Sequence, residues 1–161
     1  MINPLEKVRP RVNHFDYHQH KFYVYVYLDP FIEEQTKYKL PGEYLEFAYR
    51  PIYIGKASSA GFRHNQHIAE YLKNGQEDLK TGTIHNQTKK LAFKKLEDDM
   101  KKYGHKNIKY PRDWKEYQRD WVIVIKALEN SFDLSRFEAT VIKTVGTQRT
   151  GRGPLVNALL G

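Results

Sequence analysis

Phe22-Tyr23-Val24-Tyr25-Val26-Tyr27-Leu28 is the longest purely apolar or aromatic run in the chain, and it constrains the fold more than any other stretch. Every member is aromatic, β-branched or leucine, the residue types that suit a pleated, half-buried surface. The run is seven residues long, far short of the roughly 18 that a membrane span needs, so it predicts a strand. Period-two geometry puts Tyr23, Tyr25 and Tyr27 on one face and Phe22, Val24, Val26 and Leu28 on the other. Asp29-Pro30 is expected to end it.

The rest of the chain is organised around that strand. Residues 1–20 are polar, carry His14, His18 and His20, and read as an arm ahead of a single domain over 21–161. Residues 31–50 are mixed, with a turn signal at Pro41-Gly42, and read as a long insert between the first two strands. Pro51-Ile52-Tyr53-Ile54-Gly55 is a short second strand. Helices are predicted over 60–73, closed by Asn74-Gly75, and over 88–103, where Ala92, Leu96, Met100 and Tyr103 share a face and Gly104 stops the run. Trp121 to Ile125 is apolar on both faces and reads as a central strand. A last helix is expected over 134–145, with Asp133 as N-cap and Gly146 at the stop. Strand, strand, helix, helix, strand, helix predicts a small α/β or α+β sandwich.

At 161 residues there is room for one domain. Lys and Arg number 27 against 19 Asp and Glu, a formal charge of +8, which favours a polyanionic partner. The surplus is local: 12 Lys/Arg against 6 Asp/Glu between Asn86 and Lys126, and no acid after Glu138. This is either a surface that tracks a DNA backbone or a solvated helix face with a basic tail. A charged fraction of 29% and a mean hydropathy of −0.75 argue against a membrane protein. With no cysteine, disulfides, Cys-ligated zinc and thiol nucleophiles are all excluded. Met1 to Lys7 has no apolar signal core, so a cytoplasmic location is expected.

Two groups of residues carry chemistry. In the last helix Leu134, Phe137, Val141, Ile142 and Val145 form the apolar stripe, and Glu138 occupies a slot where an aliphatic residue belongs. A carboxylate there must be paired, protonated or bound to a cation, since burying it bare costs several kcal/mol; the plainer alternative is a Glu at the stripe's edge, snorkelling to solvent or bridged to a basic residue such as Arg136 or Lys143. Around the second strand, Tyr53 and Gly55-Lys56 lie at the strand end, and Arg63 and His67, four apart, share a helix face. Lys and Arg converging there make a phosphate seat, unless the pair is merely a solvated helix face. Gly55-Lys56-Ala57 is no nucleotide-binding P-loop, because Arg50 stands where its first glycine belongs and Ala57 has no hydroxyl for Mg²⁺.

Taken in order, Tyr23-Val24-Tyr25, Tyr53-Ile54-Gly55, Lys56, Arg63, His67, His85, Glu138 and the Gly153-Pro154-Leu155-Val156-Asn157 segment resemble the motif set of the GIY-YIG nucleases. The likeness runs from about Phe22 to Asn157. Tyr25 is matched to the family's first tyrosine because Asp29 then falls where members carry Asp or Asn. The first motif has Tyr23 in place of its glycine, and Tyr25 lies further from Tyr53 than the family's usual spacing. Both features resemble the free-standing homing-type endonucleases of phages and bacteria.

The resemblance implies a three-stranded antiparallel sheet flanked by helices and a Mg²⁺- or Mn²⁺-dependent DNA endonuclease acting in the cytoplasm, a phage's host included. It implies that Glu138 holds one divalent ion and that Arg63 and Lys56 neutralise the scissile phosphate. Tyr25, Tyr53 or His67 would take the proton from the attacking water, with Tyr25 favoured on family grounds, and Asn157 and His85 would support the site. A DNA-binding region beyond Gly161 is left open. The rival from another class is a non-catalytic nucleic-acid-binding module whose tyrosines stack on bases.

Overall fold

A computed structural model describes residues 22–57, 84–128 and 130–157. The expected arm over 1–20 and the expected helix over 60–73 lie outside those residues. The described elements are β1 (Phe22–Leu40), β2 (Glu43–Ala57), α1 (Ile84–Tyr103), α2 (Trp114–Trp121), β3 (Val122–Leu128) and α3 (Ser131–Val145). They form an α+β fold: one antiparallel sheet in the order β2-β1-β3, with three helices. Among the described residues no helix is long and apolar enough to cross a membrane.

β1 takes the centre, and its residues Tyr23 to Leu28 are fully buried. β3 is therefore an edge strand, not the central one its composition suggests, and Trp121 ends α2 instead of opening β3. Its apolar run has another cause. Helices cover both faces of the sheet, so even an edge strand is buried front and back. Tyr27 meets Phe93 of α1 and Tyr117 of α2 at ring-centroid distances of 6.1 and 5.8 Å, which puts α1 and α2 on the tyrosine face. Lys56 pairs with Val24 across β2 and Lys126 pairs with Val24 across β3, so both lysines share the Val24 face. Lys56 donates to Ser135 (2.8 Å) and Lys126 sits 4.7 Å above the Phe137 ring, which puts α3 on that face.

Asp29-Pro30 does not end β1. The strand runs on to Leu40, and residues 31–50 are not a separate insert but the outer half of a long hairpin, closed at Pro41-Gly42 with Gly42 at φ +78°. Pro30 has no N–H for the ladder, and the pairing slips between Tyr27 and Leu28, again before Glu33, and again before Thr36. Buried Asp29 accepts from the Phe31 N–H (2.9 Å) at this bend, and the Tyr117 hydroxyl holds the Leu28 carbonyl at 2.7 Å. A straight strand from Val24 to Leu40 would span about 50 Å. Lys126, beside Val24, nonetheless bridges Glu43 at the hairpin tip at 2.9 Å, so the hairpin curls back on the sheet.

The helices correct two further expectations. α1 starts at Ile84, four residues early, and its core face is Phe93, Leu96 and Met100, with Ala92 half-buried. In α3 the N-cap is Asn130, whose side chain accepts from the Asp133 N–H (2.8 Å) while its amide donates back to the Asp133 carboxylate (2.8 Å). Asp133 thus sits inside the first turn, where a negative charge suits the helix dipole. α2 was not among the expected helices; its signal is Asp113-Trp114-Lys115-Glu116, a capping pattern in which Asp113 accepts from Glu116 N–H at 2.9 Å.

Candidate functional site

Six of the residues singled out by sequence are described with their side chains: Tyr25, Tyr53, Gly55, Lys56, Glu138 and Asn157. Arg63 and His67 lie outside the described residues. His85 falls on the first turn of α1, its side chain again outside them. The described six do not form one cluster. Two groups emerge, on opposite faces of the sheet.

On the tyrosine face, Tyr25 pairs with Gly55 and Tyr27 with Tyr53 across β1 and β2. Their rings form a continuous packing, Tyr25 to Tyr27 at 5.7 Å and Tyr27 to Tyr53 at 5.9 Å. Gly55 is required by close approach, since a Cβ there would land on the phenol end of Tyr25. Tyr25 is wholly enclosed whereas Tyr53 is half-buried. Lys89 of α1, itself buried, sets its ammonium 5.0 Å from the Tyr53 ring and 5.8 Å from that of Phe93. Sequence reasoning missed Lys89, although it lies three, seven and eleven residues before Ala92, Leu96 and Met100, on the expected apolar stripe itself, where a cation is a readable signal.

On the other face, Lys56 leaves the end of β2 and reaches the first turns of α3, where Ser135 takes its hydrogen bond. Ser135 is three residues before Glu138 and so shares its side of the helix; that spacing was readable in the sequence. The Glu138 carboxylate is half-buried, accepts no hydrogen bond and has no ion-pair partner within 4 Å among the described residues. Burial pushes its pKa above the ordinary carboxylate value, while the charge of nearby Lys56 pulls the other way. No bridge to Arg136 or Lys143 is formed, and the half-buried side chain sits at the edge of the stripe, as the snorkelling alternative expects.

Asn157 holds neither group directly. Its side chain accepts from the Ile54 N–H (3.0 Å) and donates to the Ile54 carbonyl (2.8 Å), while Val156 N–H donates to the Ile52 carbonyl (2.8 Å). The segment after α3 thereby pairs with the free edge of β2 and satisfies backbone groups that an edge strand would otherwise leave open. This fixes Ile54, one residue before Gly55 and two before Lys56. Support by Asn157 thus reaches Lys56 through the backbone.

Among the described residues no three His, Cys, Asp or Glu side chains gather to hold a metal. A hard divalent ion that keeps most of its water and takes one carboxylate plus substrate phosphate does not need three. A half-buried carboxylate with no partner among the described residues, one helical turn from a serine-held lysine, fits that kind of ligation. Compared with known proteins, the chain matches no family model, no curated protein and no solved structure.

Proposed function

We propose that the chain is a metal-dependent DNA endonuclease of homing or phage type, hydrolysing phosphodiester bonds at a site built on Lys56 and Glu138. The observation that carries the reading is Glu138. A carboxylate placed in an apolar stripe, its pKa raised by burial and with no hydrogen-bond or ion-pair partner among the described residues, is a costly arrangement that a cation would relieve. Glu138 would hold Mg²⁺ or Mn²⁺, which when bound supplies Lewis-acid polarisation of a phosphoryl oxygen. Lys56, pinned by Ser135 at the end of β2, is set to meet a phosphate as a point charge. Arg63 is assigned to the same phosphate from outside the described residues. For the general base, the packing of both tyrosines on the opposite face favours His67, whose ordinary pKa already suits neutral pH. Of the two tyrosines, half-exposed Tyr53 is better placed to reach solvent than enclosed Tyr25.

Supercoiled and linear DNA incubated with Mg²⁺ or EDTA tests this. Nicking or cutting is expected with Mg²⁺, none with EDTA and none from Glu138→Ala, with Arg63→Ala slower by about a hundredfold or more. Undiminished nicking by Glu138→Ala overturns the assignment. Salt-sensitive DNA binding with no turnover under any metal would instead support a non-catalytic binding module, though not one in which Tyr23, Tyr25 or Tyr27 stack on bases, since all three are fully buried.

A further inference from the structure

We propose that the turn joining α1 to α2 is a wedge for duplex nucleic acid, in which Ile108 enters the minor groove at one base step while the surrounding lysines hold the flanking phosphates. The segment from Lys101 to Arg112, Lys-Lys-Tyr-Gly-His-Lys-Asn-Ile-Lys-Tyr-Pro-Arg, carries five cations and no acid. Ile108 stands at its tip with a relative exposure of 102%, the highest of the large apolar side chains described as exposed. Lys101 and Arg112 are engaged by Glu97 and Glu116. Lys102 and Lys106 flank the Tyr103 ring at 5.1 and 5.6 Å, and with Lys109 they have no acidic partner among the described residues.

The tip is exposed yet well held. Tyr110 N–H donates to the Asn107 carbonyl (3.0 Å), Lys109 N–H to the Asn107 side chain (3.0 Å) and Lys106 N–H to the Tyr103 carbonyl (2.9 Å). The rings of Tyr103 and Tyr110 both pack on Phe31 of β1, at 5.9 and 4.8 Å. Gly104 lies against the Pro111 carbonyl and Arg112 Cα, closing the base of the turn. An aliphatic side chain held in water on a fixed, cation-lined turn suits a partner that is anionic outside and apolar within. Stacked bases behind a phosphate backbone are such a partner, and minor-groove proteins commonly insert one aliphatic side chain between base steps. An anionic membrane has the same charge, but stable anchoring there takes more apolar contact than one side chain provides.

The proposal rests on the nucleic-acid part of the function proposed above and on no cleavage step, so it is tested in EDTA. A duplex carries 2-aminopurine at a single flexible pyrimidine–purine step and a fluorophore pair at its ends. The wild-type chain is expected to raise 2-aminopurine fluorescence and shorten the end-to-end distance. Ile108→Ala should abolish both signals while weakening binding by about tenfold or less, since the cost of unstacking disappears with the wedge. Lys106→Ala/Lys109→Ala should lower the salt slope of binding by about two. Duplex binding with no 2-aminopurine rise, or with the same rise in Ile108→Ala, overturns the wedge and leaves the endonuclease reading standing. Failure to bind any duplex overturns both. Ile108-dependent binding to phosphatidylserine vesicles, without a duplex signal, assigns the turn to a membrane surface and also overturns the wedge.

Discussion

On the face that carries Tyr23, Tyr25 and Tyr27, side chains are spent on one another: Tyr27 alone touches Tyr25, Tyr53, Phe93 and Tyr117 with ring centroids 5.7 to 6.1 Å apart. On the face that carries Val24, Lys56 and Lys126, packing is interrupted by long cations reaching α3 and by a carboxylate with no described partner. Phenols look reactive in a sequence, but an enclosed phenol against other rings is a structural element. A half-buried carboxylate with no partner among the described residues is one that an added cation would stabilise.

The sharpest break of that comparison is Tyr27→Ala. Removing a fully buried ring with four aromatic neighbours is expected to cost about 3–5 kcal/mol in urea unfolding. A loss below about 1 kcal/mol would mean that the tyrosine face is not the core it looks to be. Next comes Asn157→Ala, which strands both the N–H and the carbonyl of Ile54 at a buried edge and should cost about 2–4 kcal/mol. If Asn157 supports the site only through the backbone, cleavage by the surviving folded fraction stays close to wild type; a large fall in turnover without a fall in stability would place Asn157 in the chemistry.

Gly55→Ala tests the contact between the two strands of the resemblance. A methyl there lands on the Tyr25 phenol, which is enclosed and has nowhere to swing, so overpacking of about 1–3 kcal/mol is expected. Tyr25→Leu should relieve part of that cost in the double variant, giving a favourable coupling in a double-mutant cycle. Strict additivity would show that the glycine serves something other than the ring.

Much of the fold was legible, and for identifiable reasons. The strand over Phe22 to Leu28 and the stripe of Leu134, Val141, Ile142 and Val145 are local patterns that tertiary packing reinforces. The continuation of β1 past Pro30 was hidden because a proline removes one ladder bond but does not forbid a bulged strand, and the compensating contacts, Asp29 to Phe31 N–H and Tyr117 to Leu28, come from residues that spacing alone does not connect. The centrality of β1 over β3 was equally out of reach, since burial on both faces reports the helices and not the strand order. At the site, the anomaly of Glu138 was visible in its stripe and Lys56 in its position after Gly55. The split of Lys56 from Tyr53 follows from their odd spacing on one strand, but the placing of Glu138 with Lys56 does not, because it depends on which face of the sheet the last helix covers.

The smallest effect is expected from Glu138→Gln, and its sign is the informative part. Burial raises the folded-state pKa of Glu138 above its ordinary value of 4.5, so between 4.5 and the raised value the folded chain binds more protons than the unfolded one. Stability contributed by this group is then lost as pH rises through that window. Buried Asp29, also shifted upward by burial despite Lys95 and the Phe31 N–H, adds a loss of the same sign. Glutamine keeps the shape and never charges, so the variant should match the wild type below the window and exceed it above, in thermal melts taken from about pH 4 to pH 8. Adding Mg²⁺ at neutral pH should close the gap by stabilising the wild type alone, because only a carboxylate gives the ion a charged ligand. A Glu138→Gln chain that melts with the wild type at every pH, and responds equally to Mg²⁺, would show that this carboxylate carries no desolvation cost and that the contrast between the two faces has no bearing on metal binding.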